Sequence, residues 1–284
     1  HPLKREIIST HVVNSMVNRV GPTFVFRMRE ETGATAPDIV RAYLATREIF
    51  GLVPLWQHIE ALDNQVAHST QIKLIEDASR LVLRGTLWFL RHRDTLANLA
   101  TTLARYAPGV ALVGANLYEL VNAQYRAHLD STVAGYVELG APEATARQVA
   151  GLAEQYSGLD IVDVAGETGR DTELVAAVYF AVGGWLDLHW LSAQVGALPV
   201  DNHWQTLARA ALREDLSLHA RNIAAQVLRA SPDLTGRDAL IEAWKASRRY
   251  QIDRWRQVVA DMQSFGTLDI PMVSVAMREL RAIV

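Results

Sequence analysis

Apolar residues recur along this chain at the three- and four-residue spacing of helices, and almost nowhere at the two-residue alternation of a half-buried strand. Leu3, Ile7, Ile8, Val12, Met16, Val17 and Val20 fall toward one helical face, and Gly21-Pro22 stops that segment. Thr23 is placed to cap a short helix ending at Gly33. Thr35 precedes Pro37 and Asp38, so proline occupies a first turn, where its missing N–H removes no intrahelical bond. That third helix carries Ile39, Val40, Tyr43, Leu44 and Phe50 before Gly51 closes it. Pro54 opens a helix through Trp56, Ile59 and Leu62. A longer one runs from about Ser69 to Arg93, and another from Thr95 to a point before Pro108. The pattern resumes from Val110 to Leu139, with a candidate break near Leu120, and Gly140-Ala141-Pro142 is a stop and restart. Helices follow around 143–156, 159–168, 172–187 and 189–197, then three long pieces near 202–230, 238–264 and 271–283, jointed at Pro199, Pro232 and Pro271.

In the segment from Asp238 to Ser264, one stripe holds Ile241, Trp244, Ile252, Trp255, Val259 and Met262. One segment earlier, another holds Trp204, Leu207, Ala211, Leu212, Leu216, Ile223 and Val227. Two amphipathic helices of that length joined by a short loop form an antiparallel hairpin. The fold expected is all-α: an array of about thirteen helices ending in a long hairpin plus a terminal helix. No fixed-period repeat and no flexible linker stands out. Residues 1–284 read as one helical region, with sub-bundles 1–139 and 140–284.

Composition narrows the chemistry. There are no cysteines among the 284 residues, which excludes a disulfide scaffold, a thiolate metal site, an iron–sulfur cluster and a cysteine nucleophile. Net charge is −3, so the overall balance points to neither nucleic acid nor an anionic membrane. The longest apolar run, Leu174 to Leu186, contains two glycines and is shorter than the ~20 residues of a bilayer span, so it is expected to be a core helix. The basic residues are nearly all arginine, the lysines being Lys4, Lys73 and Lys245. The start, His1-Pro2-Leu3-Lys4-Arg5, has no signal-peptide pattern and enters a helix directly, as a piece of a longer chain would.

Several local patterns imitate active sites. Gly109 and Gly114 have the spacing of a phosphate loop, but Ala115-Asn116 follow where lysine and a hydroxyl residue are needed; a helix start and a helix–helix contact are expected instead. His92-Arg93-Asp94 with Asn98 resembles a kinase catalytic loop one residue short. Asp94 or Thr95 as a helix cap, with Arg91 and Arg93 neutralising the preceding helix end, explains it better. The nine histidines are dispersed, with no metal-ligand spacing, and His189 beside Trp190 reads as a core or interface histidine. Glu30-Glu31 and Glu214-Asp215 are adjacent acids whose side chains diverge on a helix. Ala165, Gly169 and Val175 have helix-turn-helix spacing. The second helix would be Thr172 to Phe180, apolar and acidic, with no arginine, lysine, asparagine or glutamine for base edges, so a tight corner is expected and DNA is not.

The candidate interface is a basic stripe. Lys245, Arg248, Arg249 and Arg256 fall within an arc of about 100° on a continuous helix, flanking Trp244 and Trp255, with Arg254 elsewhere. Such a stripe is expected chiefly to snorkel, its long side chains covering the edge of a core. The alternative is an acidic protein partner, preferred here to nucleic acid.

A resemblance enters through runs scattered in order over the chain. His1 to Ile8 and Asn18-Arg19-Val20-Gly21-Pro22-Thr23-Phe24-Val25-Phe26-Arg27 are followed by Glu30 to Ala34, Arg41 to Ala45, Leu55-Trp56 and Glu60 to Asn64. Tyr106 to Gly109, Asp160 to Ala165, Val178-Tyr179-Phe180 and Val275 to Arg281 complete the set. Together these resemble the C-terminal portion of the large-subunit bacterial NAD-specific glutamate dehydrogenases. The resemblance implies a cytoplasmic parent enzyme of amino-acid catabolism that converts L-glutamate to 2-oxoglutarate and ammonia with NAD. Its glutamate site and Rossmann domain would lie N-terminal to this segment. No family catalytic motif matches a position here, so no catalytic, cofactor-binding or metal residue is assigned and NAD belongs to the parent. The partners implied are the catalytic domain of the same polypeptide and neighbouring subunits of a homo-oligomer, with no nucleic acid and no membrane. Two rivals remain: a stand-alone helical enzyme with a buried carboxylate site, and a helical nucleic-acid or protein adaptor, or helix-turn-helix-containing interaction module, without enzymatic activity.

Overall fold

The computed structural model describes residues 2–284; His1, which opens the first run quoted above, lies outside them. Among the described residues the regular elements are α-helices and one 3-10 turn, with no strand, as the patterning expects. Two compact units are formed: residues up to Leu117 with Ala127–Leu159, and Tyr118–Arg126 with Asp160–Val284.

The first unit is built from α1 (Lys4–Val20), α2 (Phe24–Thr32), α3 (Ala36–Ile49), α4 (Leu52–Glu60), α5 (His68–Arg91), a 3-10 turn (Arg93–Ala97), α6 (Leu99–Leu120) as far as Leu117, α7 (Ala123–Glu138) from Ala127, α8 (Glu143–Ala150) and the short α9 (Leu152–Gln155). Its centre is the pair α3 and α5, which packs more extensively than any other. Ile39, Ala42, Tyr43, Ala45 and Ile49 on α3 and Leu74, Ala78, Leu81, Val82 and Phe89 on α5 are all buried. The helices approach closely because Gly85 sits where a Cβ would come within 2.5 Å of Thr46 Cγ2. The Thr46 hydroxyl is satisfied by donating to the Ala42 carbonyl at 2.9 Å. Thr35 caps α3, its hydroxyl accepting from the Asp38 N–H, whereas Thr23, expected to cap α2, makes no side-chain cap hydrogen bond. Arg19 and Glu60, both in the runs that carried the resemblance, pair at 2.5 Å, and the Arg19 guanidinium lies 4.8 Å from the Trp56 ring centroid.

One helix boundary departs from expectation. The helix expected to stop before Pro108 continues through it as α6. An interior proline costs about 3 kcal/mol of helix stability, but Tyr106, Gly109, Val110, Val113 and Leu117 form one buried stripe that only an unbroken helix lines up. The break expected near Leu120 is present: α6 ends there, and Asn122 Oδ1 accepts from the Tyr125 N–H to start α7. The apolar face of α1 is also largely unburied: Met16 is its buried residue, whereas Leu3, Ile7 and Ile8 are exposed.

The second unit contains α10 (Gly158–Thr168), α11 (Thr172–Trp185), α12 (Leu188–Ala197), α13 (His203–Ala230), α14 (Arg237–Ser247), α15 (Arg249–Phe265) and α16 (Ile270–Arg281). The corner between α10 and α11 exists, with Gly169 at φ 65° and Asp171 capping α11 by accepting from the Glu173 and Leu174 N–H groups. α11 is apolar around its circumference, as a core helix should be, and packs on α12, α13 and α14. No single described helix is long and apolar enough to cross a membrane, and α11 and α12 are bent by 68° to one another. The expected terminal hairpin is present as α13 against α14, but its second arm breaks at Arg248 (φ −121°, ψ 19°), giving two helices in place of one. α15 then packs on α16, and α16 returns to α13.

Candidate interface surface on the C-terminal helices

The stripe is anchored on two tryptophans. Trp244 and Trp255 are 0 % and 1 % exposed. Each satisfies its indole N–H: Trp244 donates to Gln226 Oε1 at 2.8 Å, and Trp255 donates to the Leu186 carbonyl at 3.0 Å. The second bond fastens α15 to the end of α11. Trp185, the last residue of α11, meets Trp244 edge-on at 6.5 Å. It is half-buried, and two cations cover it: Lys245 Nζ lies 4.2 Å and the Arg256 guanidinium 4.6 Å from its ring centroid. Positive charge at the C-terminal end of a helix also complements the helix dipole.

The four basic residues are divided between two helices and lie in different surroundings. The break at Arg248 removes the continuous helix on which they shared an arc. Lys245 and Arg256 converge on Trp185, and Lys245 also pairs with Glu242 at 2.7 Å. Arg249 is 88 % exposed and no closer than 3.9 Å to Asp253. Arg248, between α14 and α15, forms no side-chain hydrogen bond or ion pair among the described residues.

Sequence reasoning missed Trp185 and Asp187. Asp187 has φ 56°, a left-handed conformation that aspartate tolerates better than most residues. Burial raises its carboxyl pKa, against the pull of Arg256. The one available signal was an acid interrupting an apolar run just where α11 ends.

The other patterns resolve into structure. Gly109 and Gly114 are interior positions of α6, and a Cβ on Gly114 would meet Gln155 Nε2 at 2.8 Å. Their backbone is committed to the helix and forms no cradle for a dinucleotide phosphate, so these residues do not fit NAD. His92-Arg93-Asp94 lies at the 3-10 turn: Arg93 Nε donates to the Leu90 carbonyl at 3.0 Å, and Asn98 rather than Asp94 or Thr95 caps α6 by accepting from the Thr101 N–H. His189 stacks on Tyr125 at 4.0 Å. In the would-be recognition helix, Val175, Ala176, Val178 and Phe180 are buried, and Glu167 beside the corner is held by Arg221 and Arg229. An open cleft of about 270 Å³ between α1–α2 and α5 is floored by Val20, Phe24, Ile75 and Leu83; its one carboxylate is Glu76. Among the described residues no group of three or more histidines and acids is placed to hold a metal ion.

Comparison with known proteins places this architecture. Residues 1–282 match the family described as glutamate dehydrogenase, C-terminal. The chain belongs to that family. Similar curated proteins are NAD-specific glutamate dehydrogenases: one from Pseudomonas aeruginosa is 39 % identical over 280 residues, one from Halomonas elongata 34 % over 282, and one from Mycobacterium tuberculosis 32 % over 281. Each alignment covers 99 % of this chain and 17 % of the relative, so the chain spans about a sixth of the length of the curated relatives it matches. Within the glutamate dehydrogenase C-terminal family, the helical corner at Gly169 and the capped Trp185 are thus features of a segment whose relatives are much longer proteins.

Proposed function

We propose that this chain is the structural, non-catalytic helical region of a larger NAD-dependent glutamate dehydrogenase. The observation carrying this reading is the match over nearly the whole of this chain and only 17 % of the relatives, all named as NAD-specific glutamate dehydrogenases. The parent would oxidatively deaminate L-glutamate to 2-oxoglutarate and ammonia in the cytoplasm, passing hydride to NAD bound elsewhere in the polypeptide. This region would supply packing surface to the catalytic domain and to neighbouring subunits of a homo-oligomer, with no role in binding nucleic acid or membrane. The committed backbone of α6 and the buried second helix of the corner support that division of labour. Of the basic stripe, Arg248 and Arg249 are the part available to an acidic partner; Lys245 and Arg256 are engaged with Trp185.

The test compares the parent enzyme with and without these residues, alongside the 284-residue chain alone. The truncated parent is expected to lose assembly or stability, and the chain alone to show neither NAD binding nor glutamate oxidation. Saturable micromolar NAD binding to the chain alone, measured by calorimetry, would overturn the proposal.

A further inference from the structure

α13 carries two apolar faces. Leu212, Leu216, Ile223 and Val227 are buried and hold it to the second unit. At about 100° per residue, Trp204, Leu207, Ala211 and Leu218 lie within an arc of roughly 60°, far round the helix from that buried face. This second ridge is open: Trp204 is 77 %, Leu207 42 % and Leu218 50 % exposed, and Ala211 is exposed with them. No residue from His203 to Ala211 is buried. Singly exposed apolar residues are ordinary, but four in helical register, one of them a tryptophan, form a contact surface. The spacing 204, 207, 211, 218 follows the three-then-four rhythm by which one helix seats another. Asp215 borders the arc and Asp201 precedes the helix, both exposed; the one arginine of α13 within the arc, Arg229, is paired with Glu167 at 3.0 Å.

We propose that this ridge is the seat on which the remainder of the parent polypeptide docks, through an apolar surface rimmed by basic side chains. The proposal rests on the reading of this chain as part of a larger enzyme. The chemistry of the occupant follows from the ridge: apolar to fill the line from Trp204 to Leu218, and basic at its margin to meet Asp201 and Asp215. Its source follows from length, since five-sixths of each relative lies outside the matched segment. A second copy of α13 fits less well, because it brings the same acids while its one arginine in that arc, Arg229, is held by Glu167.

The chain has no cysteine, so Leu218→Cys places one thiol within it, and Thr235→Cys in the exposed loop before α14 serves as a control. Maleimide labelling, read by peptide mass spectrometry, is compared between the 284-residue chain and the parent polypeptide carrying the same change. A ridge open one-tenth of the time labels about tenfold more slowly. The expected result is fast labelling of Cys at 218 in the chain alone, at least that slowing in the parent, and equal labelling at 235 in both. Adding Asp201→Lys and Asp215→Lys to the parent should restore labelling at 218, most strongly at low salt. Equal rates at 218 in both proteins would overturn the proposal, as would restoration by neither substitution. Slowing in the chain alone that grows with its concentration would assign the ridge to a second copy and overturn it equally. Absence of NAD-linked glutamate oxidation by the unmodified parent would sink the proposed function, while the labelling rates decide the docking on their own.

Discussion

If Lys245 and Arg256 are structural and Arg248 and Arg249 are not, replacing each pair by methionine separates them, since methionine keeps an apolar stem and removes only the charge. Both members of the first pair lie within 5 Å of the Trp185 ring centroid. A cation on an aromatic face contributes about 0.5–1 kcal/mol when exposed and about 2 when desolvated. Lys245 is 23 % exposed and Trp185 half-buried, so the joint loss should fall near 1–3 kcal/mol. The exposed Lys245–Glu242 pair adds under ~1 kcal/mol. Arg248→Met with Arg249→Met should change stability by less than ~0.5 kcal/mol, as surface substitutions usually do. Urea unfolding followed by circular dichroism gives both values. The same substitutions made on Trp185→Leu isolate the ring's share, because the coupling should vanish when the ring is gone. An undiminished cost of Lys245→Met and Arg256→Met in that background, or an equal cost from the Arg248 and Arg249 pair, would refute the assignment.

Three further outcomes follow from the geometry. Gly85→Ala should destabilise by about 1–3 kcal/mol through overpacking against Thr46, less the ~1 kcal/mol gained in helix propensity; Gly85→Ala with Thr46→Ser should recover part of the loss, and a melting temperature above wild type for the single variant would contradict the close approach. Asp187→Asn should be stabilising or neutral at pH 7, because it removes a carboxylate whose pKa burial raises, while asparagine accepts φ 56°; Asp187→Val should cost about 1–2 kcal/mol for the left-handed backbone, and equal stability of the two would show that the backbone is not left-handed. His219 has an unpartnered buried Nδ1, and its pKa is lowered chiefly by burial and also by Arg281, against the pull of Asp215. The unfolded chain therefore binds its proton first, so stability should fall as pH drops below the ordinary histidine value of about 6.5 towards the lower native pKa; His219→Gln should flatten that limb of the profile, and an unchanged slope would assign the loss to other groups.

The helical fold was legible because its signals are local. Thr35 before Pro37, Gly33 after a short apolar run and the tight corner at Gly169 are each settled within a few residues, and the structure keeps all three. The failures arise where packing overrides a local rule. Pro108 is a helix breaker in any window of ten residues, and only the buried line from Tyr106 to Leu117 shows why α6 runs through it. Arg248 gives no compositional warning of a break, so four basic residues that shared an arc on paper divide between α14 and α15. The site was half legible: Trp244 and Trp255 were placed in the core, but their neighbour Trp185 was lost inside a uniformly apolar helix.

The same reasoning explains why α13 misled. Its apolar residues span more than half the helix circumference, and periodicity alone assigns them to one broad core face that includes Trp204. Burial shows two faces, and the helix needs only the second, through Leu212, Leu216, Ile223 and Val227, to be held in its unit. An apolar side chain left largely in water adds little burial to its own unit, and several in register make an apolar patch. Trp204 and Leu218 are exposed in this way on α13, as Ile7 and Ile8 are on α1. Hydrophobic patterning thus carried fold information where pattern and burial agree, marking the core of this region; where they part, as at Trp204 and Leu218, it marks apolar surface that the packing of this unit does not use.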